Sequence, residues 1–109
     1  MTRSGVFRVT VLPTEPMPTL DGRQLGDKAT LLAALGQALY FPDYYGGNWD
    51  ALEECLVDLS WHTGPLNLLI TDADRLPPDL RDNLIDIFVD AARLSVAVGR
   101  PFALYLQAQ

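Results

Sequence analysis

The segment that decides the fold runs from residue 64 to residue 107 and reads "GPLNLLITDADRLPPDLRDNLIDIFVDAARLSVAVGRPFALYLQ". It begins with a short apolar run after a Gly-Pro pair, and the length of this run favours a buried strand over a helix. From Pro77 onward, apolar residues recur at helical spacing until Gly99 and Pro101, so this part predicts a long helix. Residues 102–107 then predict a second apolar strand. Strand, helix and strand in this order indicate parallel strands joined by a right-handed crossover.

The residues before this unit predict one more strand and two more helices. They are a strand over 5–12, a helix over 28–39 capped by Asp27, and a helix from residue 49 to about residue 59 capped by Asn48. Between the first strand and the first helix, residues 13–22 hold three prolines and an Asp-Gly pair, which predict a loop or a sheet edge. The complete pattern therefore predicts an α/β fold of two layers, with three parallel strands and helices.

The composition is typical of one globular domain. The chain has 109 residues, of which 49% are hydrophobic and 20% charged, so we expect a single domain over residues 1–109 with one core. No apolar run approaches the roughly 20 residues of a membrane helix, and the first residues lack the pattern of a secretory signal. One cysteine and one histidine exclude an internal disulfide and a Cys/His zinc site. We expect a cytoplasmic protein without membrane contact and without a metal.

The charge balance points to the class of partner. The net charge of −6 argues against direct binding to nucleic acid, because phosphate binding depends on lysine and arginine. A basic partner is the more natural inference, although modest acidity also keeps a small protein soluble. The sequence contains no dinucleotide-binding, P-loop, metalloprotease or hydrolase motif, so no cofactor is expected.

The second predicted helix carries a stripe of acidic residues. Asp50, Glu54 and Asp58 are spaced by four and share one helical face, with Glu53 beside them. Like charges at this spacing repel each other by a few tenths of a kcal/mol per pair, and the helix has no basic residue to relieve them. The stripe has three possible roles: a solvated face without function, a catalytic pair that would need a desolvating pocket, or a face that binds a cationic partner.

Neither candidate nucleophile supports catalysis. Cys55 lies at the edge of the apolar side of the second helix, where a small core residue is the simpler interpretation. His62 follows Trp61 in a predicted loop, away from the buried side of Cys55, and is interpreted as a surface residue. We therefore predict that the protein is not an enzyme.

The stretch "PDYYGGNWDALEECL", residues 42–56, resembles the signature of barstar-like proteins, the intracellular inhibitors of small secreted ribonucleases. Residues 20–39 are similar to the end of the family's first strand, its turn and its first helix, and the later strand, helix and strand continue the likeness. Residues 1–18 fall outside it, as a poorly matched strand and Pro-rich loop. The resemblance implies a three-stranded parallel sheet with helices on one face, and a second helix that plugs the substrate groove of a basic ribonuclease.

The same resemblance assigns residues to the contact with the nuclease. Tyr44 matches a loop tyrosine that packs on the enzyme, Gly46 a loop glycine, and Asn48 the capping asparagine near the contact. Asp50 matches an interface aspartate, and Glu54 occupies the position of the aspartate that enters the nuclease's phosphate site. Of the paired tyrosines, we expect Tyr44 to be exposed and its neighbour to cover the first helix.

Further members of the predicted contact set depart from the family pattern or lie at its edge. Glu53 stands in place of a tryptophan, Val57 of a threonine and Asp58 of a glycine, while Trp61 lies two positions later than the family's tryptophan. Asp90 on the long helix matches a peripheral glutamate. These departures imply that the fold is kept while the cognate target differs from the best-known one.

The function expected from the sequence is therefore inhibition of a basic secreted ribonuclease or related toxin, by a monomer that occludes the active site. The alternative is a regulatory or scaffolding module of the same fold that binds a basic protein other than a nuclease. Glu53 and Asp58 motivate this alternative, because both depart from the inhibitor pattern.

Overall fold

The computed structural model describes residues 5–14, 16–42, 45–57, 66–97 and 102–108, with side chains given through residue 94 in the last helix. The strands are β1 (Gly5–Val9), β2 (Thr19–Asp21), β3 (Leu66–Thr71) and β4 (Phe102–Gln107). The helices are α1 (Lys28–Ala38), α2 (Trp49–Val57) and α3 (Pro78–Ala97), and two short 3-10 turns span Gly22–Gln24 and Ala73–Arg75. The α/β class and the predicted β3-α3-β4 unit are confirmed.

The strands form one parallel sheet in the order β1-β4-β3-β2. The prediction of three strands is wrong by one, because the end of the Pro-rich segment pairs with β3 as a short edge strand. The amide of Leu69 donates to the carbonyl of Pro18 at 3.0 Å, and Thr19 is the first residue in register with β3. Proline is excluded from central strands, but an edge strand needs hydrogen bonds on one side only.

Strand β1 is shorter than its sequence pattern predicts. It ends at Val9, which is paired with Gln107, the last residue of β4. Among the described residues no neighbouring strand continues beyond this point, and Val11 and Leu12 are 77% and 54% exposed. The alternating pattern thus continues past the end of the sheet.

All three helices pack on one face of the sheet. Alternate residues of the two central strands belong to the same buried cluster as the inward side chains of α1, α2 and α3: Leu66, Leu68 and Ile70 from β3, and Phe102, Leu104 and Leu106 from β4. On the opposite face, the rings of Phe7 and Tyr105 lie 5.6 Å apart. Burying each large core side chain stabilises the fold by about 1.5–3 kcal/mol, so the cluster fixes each helix against the sheet.

The ends of α1 follow ordinary capping rules. Asp27 accepts a hydrogen bond from the amide of Thr30 at 2.8 Å, which confirms it as the N-cap. At the other end, Phe41 donates to the carbonyl of Gly36 and Tyr40 to that of Gln37, the two bonds of a Schellman motif. Tyr40 consequently has a φ of 55°, a left-handed conformation that glycine usually supplies.

Candidate protein-binding site

The entrance of α2 is built by a capped turn. The side-chain Oδ1 of Asn48 accepts a hydrogen bond from the amide of Ala51 at 2.7 Å, which confirms Asn48 as the N-cap of the helix. Gly47, directly before it, has a φ of 73°, so the turn requires a residue that tolerates the left-handed region. Gly46 is exposed and has room for a side chain, since an added Cβ would lie 3.6 Å from the nearest atom of Asn48.

Tyr45 anchors the loop before α2 onto α1. Its hydroxyl donates to the carbonyl of Leu32 at 2.8 Å, and its ring packs edge-on against Phe41 with 4.8 Å between centroids. The ring lies so close to Gly36 that a Cβ there would be 2.7 Å from Tyr45 Cε2. The prediction that the second tyrosine of the pair covers α1 is confirmed, whereas Tyr44 lies outside the described residues.

The inner side of α2 is held by the core. Leu52, Leu56 and Cys55 are buried at 0%, 0% and 4% exposure, which confirms the interpretation of Cys55 as a core residue. Trp49 is half-buried against the same cluster, and the Lys28 ammonium of α1 lies 5.9 Å from its ring centroid. This cation–π contact and the buried leucines fix the orientation of α2.

The outer side of α2 presents three carboxylates that nothing in the described structure neutralises. Asp50, Glu53 and Glu54 are exposed, and their side chains make no ion pair or hydrogen bond with residues in the described ranges. The helix holds no lysine or arginine. Asp58, the last member of the predicted stripe, lies outside the described residues. The arrangement is a negatively charged surface on a rigid support.

A groove of about 680 Å³ runs beside these carboxylates, between α2 and α3. Its described lining is Asp50, Ala51, Glu53, Glu54, Cys55, Val57 and Leu94. Val57 and Leu94 are 46% and 52% exposed, so the groove has apolar walls next to negative charge. Such a surface suits a lysine or arginine, whose stem is apolar and whose head is cationic.

The sequence did not identify Leu94 as a site residue. Its spacing places it on the apolar stripe of α3, where a core position is the ordinary interpretation. In the structure it is exposed beside the end of α2, because the buried stripe of α3 continues instead through Ala91 and Ala92. No sequence signal separates these possibilities.

The other predicted contact residues are placed as follows. Asp90 is exposed on α3, 3.9 Å from the Nη1 atom of Arg93, and does not line the groove. Trp61 and His62 lie outside the described residues. The structure thus brings together Asp50, Glu53, Glu54 and Val57, with Asn48 at the start of the same helix.

The described ranges contain no group of three or more histidine, cysteine or acidic side chains arranged to hold a metal ion. Within the same ranges, none of the helices has the length and hydropathy needed to cross a bilayer.

Comparison of the sequence with known proteins identifies the family of this chain. Residues 16–107 match the family described as barstar (barnase inhibitor). The chain belongs to the barstar family. A curated protein of Bacillus subtilis (strain 168), named "Putative ribonuclease inhibitor YrdF", is 43% identical over 51 residues, which are 47% of this chain and 54% of that protein. The matched part thus spans about half the length of the curated relative.

The barstar family match confirms the resemblance carried by residues 42–56. It begins at residue 16, so β1 lies before the matched region although it pairs along its whole length with β4. The matched region includes β2, all three helices and both central strands.

Proposed function

We propose that this barstar-family protein inhibits a small basic ribonuclease by placing α2 and the loop before it in the enzyme's active-site groove. The observation that carries the proposal is the set of exposed carboxylates of Asp50, Glu53 and Glu54, which no described side chain neutralises, on a helix whose opposite side is buried. Mutual repulsion of these groups destabilises α2 slightly. A cationic partner offsets this repulsion, because its positive charges attract each of the carboxylates.

The chemistry of the contact is imitation of an RNA backbone. A ribonuclease groove collects arginine, lysine and histidine to bind phosphates, and a carboxylate accepts the same charge-assisted hydrogen bonds. Because α2 is fixed by Leu52 and Leu56, little backbone freedom is lost on binding. Glu54 is the residue we assign to the phosphate position, with Asp50 beside it at the start of the helix.

The proposed partner is a secreted toxin-type nuclease, and the protein acts as its cytoplasmic immunity partner by one-to-one occlusion without turnover. Opposite net charges of the two proteins raise the association rate, and salt lowers it because the field is screened within about 10 Å at 0.1 M. The apolar walls contributed by Val57 and Leu94 add contact area next to the charges.

The experiment measures cleavage of a fluorogenic RNA by a panel of small basic ribonucleases, including any encoded beside this chain's gene, with increasing amounts of the protein. We expect complete inhibition at one equivalent for the cognate enzyme. Glu54→Gln should raise the dissociation rate by about 10- to 150-fold, since hydrogen bonds to charged groups contribute about 1.5–3 kcal/mol. The matched control is Asp86→Asn. Asp86 is exposed on α3 and does not line the groove, and its replacement changes the net charge of the protein by the same amount.

Two results would count against the proposal. If Glu54→Gln and Asp86→Asn weaken inhibition equally, general charge and not this face drives binding. If no nuclease is inhibited and affinity capture recovers only other basic proteins, the protein is a binding module of a different kind. Glu53, exposed beside Glu54, is the observation that favours this second candidate, because a carboxylate there departs from the inhibitor pattern.

A further inference from the structure

A second cavity, of about 200 Å³, lies at the carboxyl ends of β1 and β4 and beside the start of α3. Its described lining is Arg8, Val9, Thr10, Ala73, Asp74, Arg81, Leu106 and Ala108. None of these residues lines the groove beside α2. In parallel α/β sheets, the carboxyl ends of the strands are the usual location of small-ligand sites.

The fold brings two arginines to this cavity from distant parts of the sequence. Arg8 is in register with Leu106, and so belongs to the sheet face that carries the helices. Arg81 lies in the first turn of α3, where its amide donates to the carbonyl of Pro77 at 2.9 Å. Ala108 closes the same end of the sheet by donating its amide to the Val9 carbonyl at 3.2 Å.

Both guanidinium groups lack a counter-ion in the part of the chain that the structure describes. Neither Arg8 nor Arg81 forms an ion pair within the described ranges. The Nε atom of Arg81 is buried and has no hydrogen-bond partner among the described residues, which is unfavourable for a donor of a charged group. Asp74 also lines the cavity but is not paired with either arginine. The described residues therefore leave guanidinium donor capacity beside a partly apolar cavity.

We infer that this cavity binds a small organic carboxylate. The carboxylate accepts hydrogen bonds from the guanidinium groups of Arg81 and Arg8, since the planar fork of arginine matches its two oxygens. The apolar body of the ligand contacts Val9, Ala73 and Leu106. The small volume restricts the ligand to a compact acid with a single short or cyclic apolar group. The site is independent of the proposed ribonuclease contact.

Titration of the ¹⁵N-labelled full chain with benzoate tests the inference, with benzamide as the neutral analogue and inorganic phosphate as the anion without an apolar body. Benzoate should shift the amide resonances of Thr10, Ala73 and Ala108, and the Nε–H resonance of Arg81, in a saturable manner. Arg81→Met and Arg8→Gln should each weaken binding about tenfold or more, whereas Arg93→Gln, an exposed arginine outside the cavity, should change nothing. Asp74→Asn should tighten binding a few-fold, because it removes the one negative charge on the described cavity wall.

Three results of the titration would overturn the inference. Equal shifts with benzamide show that the cavity takes any apolar molecule, and tighter binding of phosphate shows a simple anion site; either result overturns the inference. Absence of saturable shifts with benzoate overturns it as well. If Arg81→Met lowers the thermal midpoint by more than about 10 °C, Arg8→Gln on the exposed end of β1 supplies the decisive comparison.

Discussion

Replacing Gly36 by alanine tests whether Tyr45 positions the loop before α2. At an ordinary helical site this change stabilises a protein by about 0.8–1 kcal/mol, because alanine is the better helix former. Here the new Cβ would lie 2.7 Å and 2.9 Å from two carbons of the Tyr45 ring, so the ring must move. Movement breaks the hydroxyl bond to Leu32, worth about 1 kcal/mol, and the edge-on contact with Phe41, worth about 0.5–1.5 kcal/mol.

Repacking strain of about 1–3 kcal/mol adds to these losses, so after the helix-forming gain of alanine the net effect of Gly36→Ala is destabilisation by about 1.5–4.5 kcal/mol. This lowers the thermal midpoint by about 4–8 °C for each kcal/mol in a domain of this size. Urea and thermal unfolding followed by circular dichroism measure it. In a Tyr45→Leu background the clash with ring carbons is removed, and the same change should become stabilising. A stabilising effect in the wild-type background, or the same effect in both, would refute the role assigned to the Tyr45 ring.

Three further predictions concern the same region. Asn48→Ala should lower stability by about 1 kcal/mol in urea unfolding, since it removes the bond to the Ala51 amide; an unchanged midpoint would mean that the cap is not needed. Tyr40→Gly should raise stability by about 0.5–1 kcal/mol, because Tyr40 is 84% exposed and has a φ of 55°; a loss of stability would show that its ring makes an important contact. Burial, with a smaller contribution from Cys55, raises the pKa of Tyr45 from 10.0 to about 12, so the folded state keeps a proton that the unfolded state loses between these pH values. Stability should therefore fall as pH rises from 10 through 12, and Tyr45→Phe should reduce that slope in unfolding measured across this range.

The sequence predicted the parts of the fold that depend on local patterns. The β3-α3-β4 unit and the caps at Asp27 and Asn48 follow from periodicity and from the preferences of individual residues, so they are confirmed in the structure. For the segment that contains β2, the sequence predicted a loop or a sheet edge without choosing between them, because its three residues become a strand only through pairing with β3. Its pairing is a property of the assembled sheet and leaves no periodic signal in a segment rich in proline.

The candidate site was also predicted only in part, because some of its residues follow from local sequence patterns and others depend on how the elements pack. The acidic positions Asp50, Glu53 and Glu54 follow from helical spacing and from the family resemblance, and the structure places all three at one groove. The apolar wall formed by Leu94 depends on how α3 is rotated relative to α2, which periodicity does not fix to within one residue. The pair of arginines at the second cavity depends on the packing of α3 beside β1, which brings residues 8 and 81 to one cavity and which no short motif records.

The uncompensated charge on α2 gives dissolved ions two opposite effects on this protein. Added salt screens the repulsion among Asp50, Glu53 and Glu54, so it should make the free protein more resistant to unfolding. The same salt screens attraction to a basic partner and should weaken the proposed complex. The isolated chain should then be most stable at a higher ionic strength than the one at which it binds best. A thermal-shift screen for stabilising buffers would therefore choose conditions that weaken binding of the proposed partner.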